Sequence, residues 1–166
     1  MKDVLLVYYS RTGYTASIAR ELASMAGWDS EEILDRHSRV GPWGFVRSLL
    51  DVLMGRHPAI RKTVKDPADY ALVVLAAPVW MVRLSAPIRS YIAQHRNSFK
   101  NVAFFCTYGG QGAERAAEQC ADFVGKQLLA TLAITDVEIE KADYRAKLDK
   151  FLWQVRAAGK SAVRAA

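Results

Sequence analysis

The chain has 166 residues, a length that a single hydrophobic core can serve. Hydrophobic residues make up 51% of the chain and charged residues 24%, a balance that is typical of globular domains and excludes a disordered chain. The longest apolar stretch lies within residues 71–82, which is shorter than the ~20 residues of a membrane-spanning helix. The N-terminus does not have the pattern of a signal peptide. We therefore expect one domain over residues 1–166, with no membrane span.

The cysteine and histidine content is low. Cys106 and Cys120 give neither a disulfide framework nor the paired spacing of a zinc site, and they favour a reducing, cytoplasmic compartment. His37, His57 and His95 are isolated in the sequence, and we interpret them as surface residues. We predict no metal site and no catalytic side chain.

The positive charge is concentrated in one segment. The chain has 23 Lys and Arg against 17 Asp and Glu, a net charge of +6. Residues 36–65 carry all of this excess, since their only acidic residue is Asp51 and their basic residues are Arg36, Arg39, Arg47, Arg56, Arg61, Lys62 and Lys65. This basic segment is either a solvated surface or a site that attracts an anionic substrate or an acidic partner. Nucleic acid is not expected, because no reader motif accompanies the charge.

The first half of the chain alternates strand-like and helix-like patterns. Residues 4–9 form a continuous apolar run, which is typical of a strand buried on both faces of a parallel sheet. Apolar residues then recur at helical spacing up to Gly27. Residues 32–34 indicate a short second strand, and an amphipathic helix is predicted over 43–54, ending at Gly55.

The second half continues the alternation. Residues 70–77 give the strongest strand signal, which we expect to end at Pro78, and a helix is predicted to begin near Pro87. Residues 102–106 predict a further buried strand. A helix over 113–126, a half-exposed edge strand over 132–139 and a final helix follow. The final helix places its apolar residues on one face: Tyr144, Leu148, Phe151, Leu152 and Val155.

Five strands alternating with five helices predict an α/β fold, a doubly wound parallel sheet covered by helices on both faces. In such sheets, ligands bind beyond the carboxyl ends of the strands. Three loops leave those ends, at residues 10–15, 78–85 and 107–112.

The first loop, Ser10-Arg11-Thr12-Gly13-Tyr14-Thr15, has the composition of a phosphate site. It offers three hydroxyl groups beside the N-terminus of a helix, where free backbone N–H groups attract anions. Ordinary N-capping would need only one hydroxyl. The loop has neither GxxxxGK[ST] nor GxGxxG, which disfavours an ATP-hydrolysing P-loop and a dinucleotide site.

This loop resembles the phosphate loop of the flavodoxin-like family of FMN proteins, which reads roughly Ser/Thr-x-Thr-Gly-x-Thr. Ser10, Thr12, Gly13 and Thr15 match, whereas Tyr14 stands where the family commonly has Asn, so we expect only backbone donation there. Residues 77–87 and 106–112 are similar to the family's two flavin-contacting loops. The resemblance implies sheet order 2-1-3-4-5 and FMN bound by Ser10, Arg11, Thr12, Gly13, Tyr14, Thr15, Pro78, Val79, Trp80, Met81, Val82, Thr107, Tyr108, Gly109, Gly110 and Gly112.

The flat isoalloxazine ring needs apolar walls and close backbone donors. Trp80 and Tyr108 can supply stacking area, and the glycines at 109, 110 and 112 allow close approach of the backbone. The alternatives are that Trp80 plugs the core and that Tyr108 packs on a neighbouring helix.

Two other protein classes, tyrosine phosphatases and receiver domains, do not fit the sequence. A tyrosine-phosphatase-like loop around Cys106 would need an arginine where Gly112 stands, so we interpret Cys106 as a core residue. A receiver domain needs clustered carboxylates at the strand ends, but only Asp3 lies near the first strand.

The leading hypothesis is therefore an FMN-dependent oxidoreductase that takes electrons from NAD(P)H, or acts on quinones, or is reduced by a reductase protein. A small electron shuttle is the alternative, but shuttles resembling classical flavodoxins are usually acidic. A flavin-free interaction module on the same fold is the second alternative. We expect Arg39 or Arg47 to meet an anionic substrate near the phosphate loop.

Overall fold

The fold is taken from a computed structural model that describes residues 2–35 and 58–164. The helix predicted over 43–54 and most of the basic segment lie outside the described residues.

The strands form one mainly parallel sheet. Their bounds are β1 Lys2–Tyr8, β2 Asp29–Glu32, β3 Tyr70–Trp80, β4 Arg83–Leu84, β5 Val102–Tyr108 and β6 Leu128–Thr135. The order is β2-β1-β3-β5-β6, and the two-residue β4 pairs antiparallel with the end of β3. The five parallel strands therefore have the predicted order 2-1-3-4-5, and the predicted fold class is confirmed.

The helices of the described chain are α1 Tyr14–Ala26, α2 Ala86–His95, α3 Ala113–Val124, α4 Asp136–Glu140 and α5 Arg145–Arg164. The helices α1 and α3 both end at a left-handed glycine, Gly27 and Gly125, whose N–H bonds back to a carbonyl of the last turn. Pro87 lies in the first turn of α2, as predicted.

The core has two layers because successive strand residues point to opposite faces of the sheet. On one face, Leu5, Val7 and Phe104 pack with the buried residues of α2 and α3. On the other face, Leu6 and Phe105 pack with the buried residues of α1 and α5. The sheet is thus covered on both sides, and its carboxyl edge is left to the loops.

The prediction that Pro78 ends the third strand is wrong, since β3 continues to Trp80. The carbonyl of Ala76 accepts from the Tyr9 N–H at 3.0 Å, so Ala76 faces β1. Pro78, two residues further, faces the same side, where β1 has already ended at Tyr8. On that side of Pro78, no strand of the described residues is present to accept a hydrogen bond from a backbone N–H. Proline, which has no N–H, is therefore tolerated within β3.

The edge strand predicted over 132–139 is wrong at its C-terminal end, because residues 136–140 form α4 instead. Thr135 and Glu138 form a capping box: the Glu138 N–H donates to the Thr135 hydroxyl, and the Thr135 N–H donates to the Glu138 carboxylate. This pair starts a helix where the apolar alternation alone favours a strand. The second strand also differs, because it covers Asp29–Glu32 and not residues 32–34. Pairing with Leu5–Tyr8 of β1 sets its position more than its own hydrophobicity.

Candidate functional site

The first loop holds its shape through a glycine and a serine. Gly13 has φ +98°, a left-handed conformation that glycine adopts without strain, and it directly precedes α1. The Gly13 N–H donates to the Ser10 hydroxyl at 3.1 Å, and the Ser17 N–H donates to the Gly13 carbonyl at 2.9 Å. No side chain of the described residues caps α1, and Thr12 is exposed. The loop therefore presents the Thr12 hydroxyl and helix N–H groups outward, while the Ser10 O–H is still able to donate.

Thr15 is placed differently from the other two hydroxyl residues. Its hydroxyl lies 2.8 Å from the hydroxyl of Thr107, and both side chains are buried. One hydroxyl donates to the other, so the pair as a whole has one O–H left to donate. This pair joins the first loop to the end of β5.

Tyr14 points toward α4. Its hydroxyl donates to Glu140 at 2.8 Å, and this bond raises the pKa of Tyr14 because it needs the neutral phenol. The side chain of Tyr14 is thus engaged with a carboxylate, which leaves the backbone as the donor at this position.

The second loop is a tight β-hairpin between β3 and β4. Trp80 pairs with Arg83, and the two residues between them have positive φ, +47° at Met81 and +56° at Val82. Turns of this kind favour Asn-Gly, because a β-branched side chain in the left-handed region is strained. Met81 and Val82 are nevertheless exposed at the tip, at 58% and 38%. A strained turn therefore presents apolar side chains at the carboxyl edge of the sheet.

Trp80 contacts Arg11 of the first loop and Tyr9, which directly precedes that loop. The Tyr9 ring meets it edge to face, with centroids 5.8 Å apart and an interplanar angle of 83°. The guanidinium carbon of Arg11 lies 5.7 Å from the Trp80 ring centroid. Trp80 is half-buried and packs against the core, and Pro78 and Val79 before it are half-buried as well.

The third loop packs against the hairpin through Gly112. A Cβ atom at Gly112 would lie 2.5 Å from the Val82 Cα, and Gly112 also has φ +98°. Gly109 lies against Asp136, whose pKa is raised by burial and by the charge of Glu140. Around Gly110, no atom of the described residues would touch an added Cβ, and Tyr108 is half-buried. Only glycine at position 112 allows the hairpin and this loop to meet.

The sequence did not indicate three of the residues at this edge. The sequence indicates Tyr9 only as part of a buried strand, yet its ring packs on Trp80. The edge strand predicted over 132–139 places Asp136 in a strand and Glu140 just after it, whereas both belong to α4, which the capping box at Thr135 starts. That signal, a threonine followed three residues later by a glutamate, was readable from the sequence.

Other predicted features lie elsewhere. Cys106 is buried in the core, and burial raises the pKa of its thiol to about 12, as expected of a packing residue. Arg61 and Lys62 are exposed, whereas Arg39 and Arg47 lie outside the described residues. No helix in residues 2–35 and 58–164 has the length and apolarity to cross a membrane.

Several solved structures share this fold. A flavoprotein from Lactobacillus acidophilus NCFM, solved in complex with FMN, has a TM-score of 0.70 at 23% identity, covering 85% of this chain and 98% of that one. A protein assigned as a flavoprotein from Bacteroides eggerthii DSM 20697 has a TM-score of 0.71 at 25% identity, covering 91% and 98%. Another from Bacteroides uniformis ATCC 8492 has a TM-score of 0.70 at 21% identity, covering 88% and 98%.

Among curated proteins, none matches the sequence at a significant level. The family model described as flavodoxin matches residues 3–149, which is most of the chain. The predicted resemblance to the flavodoxin-like family is thereby confirmed, and the chain belongs to the flavodoxin family.

Proposed function

We propose that this protein binds FMN at the carboxyl edge of its sheet and acts as a flavin oxidoreductase of the NAD(P)H or quinone type. The observation that carries the proposal is that a hydroxyl-rich loop, at a helix N-terminus that no described side chain caps, meets an aromatic wall at this edge. The guanidinium carbon of Arg11 in that loop lies 5.7 Å from the ring centroid of Trp80. FMN has the matching shape, a phosphate at one end and a flat aromatic ring at the other.

The phosphate end fits the first loop. Thr12 is exposed, the Ser10 O–H is able to donate, and the N-terminus of α1 has no side-chain cap from the described residues. A dianionic phosphate is favoured by both the free N–H groups and the helix dipole. We assign this end to Ser10, Thr12, Gly13, Tyr14 through its backbone, and Thr15 through its pair with Thr107.

The ring end fits the hairpin and the third loop. Trp80 supplies an aromatic face, and Met81 and Val82 supply apolar surface. The close contact at Gly112 brings the backbone of the third loop to the same place. We assign this end to Pro78, Val79, Trp80, Met81, Val82, Tyr108, Gly109, Gly110 and Gly112, with Arg11 beside Trp80.

Bound FMN would supply the redox chemistry, accepting electrons from a donor and passing them to an acceptor. The residues of the chain bind the phosphate, orient the ring and limit the access of water. We assign no side chain a proton-transfer role.

The charge of the chain supports an oxidoreductase over an electron shuttle. The net charge is +6, whereas shuttles of the flavodoxin type are usually acidic. The low cysteine content fits a reducing, cytoplasmic compartment. The shuttle and the flavin-free module are the alternatives that the following experiments separate.

Flavin binding is tested by titrating the purified protein with FMN and following the flavin absorption bands. Thr12→Val removes one O–H donor to a charged group, so we expect the Kd for FMN to rise about ten-fold or more. Thr131→Val, an exposed threonine in the middle of β6, is the matched control and should leave the Kd unchanged. Failure of the wild type to bind excess FMN would leave the interaction module as the better description.

The electron donor is tested by mixing the FMN-loaded protein with NADH or NADPH without oxygen. An oxidoreductase of the proposed kind loses its flavin absorption bands directly. A shuttle keeps them until a reductase protein is added.

The basic segment is proposed to meet an anionic donor or an acidic partner. Arg47→Glu should lower activity with that donor while FMN stays bound, and the effect should weaken at high ionic strength. Kinetics that do not change with ionic strength would contradict this role.

A further inference from the structure

Arg11 lies within the candidate phosphate loop but contacts the ring side of the site. Its neighbours Ser10 and Thr12 are both assigned to phosphate, and an arginine in such a loop is expected to serve the same anion. The guanidinium instead lies over Trp80, at 5.7 Å from the ring centroid.

A second residue of the same segment also packs on Trp80. The buried Tyr9 ring meets Trp80 edge to face, and its hydroxyl donates to Asp35 at 3.1 Å. Tyr9 is thus fixed at both ends, so Trp80 has a rigid neighbour on its core side. Tyr9 and Arg11 are two residues apart, and both reach the same indole ring.

We propose that Arg11 is a positioning residue for Trp80, and that it serves the isoalloxazine end of FMN and not the phosphate. This inference rests on the proposed function, since it assigns a role within the same site. A planar guanidinium over an indole is a favourable arrangement that fixes the ring in one orientation. The first loop therefore orients the aromatic wall as well as binding the anion.

The two roles of Arg11 predict different ligand dependences. A charge that serves the phosphate acts only on ligands that carry one, and its effect weakens with salt. A guanidinium that fixes Trp80 acts equally on any ligand that carries the isoalloxazine ring. Riboflavin, which has the ring and no phosphate, separates these cases.

The experiment measures the Kd of FMN and of riboflavin for the wild type, Arg11→Gln, Arg11→Lys, Trp80→Phe and the double variant Arg11→Gln/Trp80→Phe. We expect Arg11→Gln to weaken both ligands by the same factor, about two- to five-fold. Arg11→Lys should lose a similar factor, because it keeps the charge but not the broad guanidinium that lies over the indole ring. In the Trp80→Phe background, Arg11→Gln should have a smaller effect, because the phenyl ring is a weaker partner for the guanidinium than the indole.

Three results would overturn the proposal: weakening of FMN alone, full recovery by Arg11→Lys, or an undiminished effect of Arg11→Gln in the Trp80→Phe background. Thermal melts check that each variant folds. Acrylamide quenching of Trp80 fluorescence, taken as the difference from Trp80→Phe, tests the contact in the ligand-free protein. Should the wild type bind neither ligand, the proposed function fails, while the quenching data still decide whether Arg11 covers Trp80.

Discussion

The first loop and the hairpin after β3 lie at the same edge of the sheet, but they differ in the residue types that adopt positive φ. In the first loop, the one positive φ falls on Gly13, and the Gly13 N–H is satisfied by Ser10. In the hairpin, the positive φ values fall on Met81 and Val82, residue types that this conformation disfavours. The first loop is therefore shaped by residues suited to their conformation, and the hairpin by residues held under strain.

The strain at the hairpin is balanced by contacts around it. The Leu84 N–H donates to Gln119 of α3 at 3.0 Å, Trp80 packs on Tyr9, and Gly112 lies directly against Val82. Strained backbone persists only where the surroundings over-determine it. The hairpin therefore depends on neighbouring elements for its conformation, whereas Ser10 and Gly13 set the backbone of the first loop locally.

Gly112→Ala breaks the hairpin's support and should have the largest effect. The new Cβ would lie 2.5 Å from the Val82 Cα, and φ +98° disfavours alanine. We expect unfolding free energy to fall by about 2–4 kcal/mol and the Kd for FMN to rise more than ten-fold. Thermal melts measure the first effect and FMN titration the second, with Gly110→Ala as the control for the melts, since a Cβ there meets no described atom. Equal losses of stability at both glycines would contradict the contact argument.

Thr15→Val tests the joint between the first loop and β5. It leaves the buried Thr107 hydroxyl without its partner among the described residues, which should cost about 1–3 kcal/mol, or a drop in Tm of about 3–8 °C. The double variant Thr15→Val/Thr107→Val removes both hydroxyls and should recover most of the loss. Additive losses in the ligand-free protein would show that the two hydroxyls do not depend on each other.

Met81→Asn tests the strain directly and should stabilise the protein. Asparagine tolerates the left-handed region at this turn position, so we expect a gain of about 1 kcal/mol and a rise in Tm of about 2–4 °C. Met81→Ala keeps a Cβ without that tolerance and should give no gain. A rise in Tm with both variants would point to lost exposure of the methionine and not to relief of strain.

Tyr14→Phe should have the smallest effect on FMN. It removes the bond to Glu140 but keeps the backbone N–H that we assign to phosphate binding. We expect the Kd for FMN to change less than two-fold in the absorbance titration. A ten-fold change would mean that the phenol itself acts on the phosphate site.

The sheet was predictable from the sequence because its central strands are apolar throughout. Residues 4–9, 70–77 and 102–106 carry that pattern; all of them except Tyr9 lie in β1, β3 or β5, and Gly27 marks the end of α1. The loops were predictable in position, because a doubly wound sheet sends them to one edge.

The details of the site were less predictable. The hairpin was not predictable, because Met81 and Val82 stand where such turns favour Asn-Gly. These two residues adopt the turn under strain, which only tertiary contacts sustain. The contact between Arg11 and Trp80 joins residues far apart in the chain, so no local spacing indicates it. The burial of Thr15 against Thr107 has the same origin, because it needs the register of β5 beside the start of α1.

The short bridge between Asp35 and Ile60 bears on how the chain tolerates changes in length. The Arg61 N–H donates to the Leu34 carbonyl at 2.7 Å beside this bridge. The residues on either side of the segment 36–59 are therefore paired with each other. When the ends of a segment are already closed, each doubling of its length costs only ~0.6 kcal/mol. The bridge therefore lets the two described parts of the chain meet at a closure cost that depends only weakly on how many residues separate them.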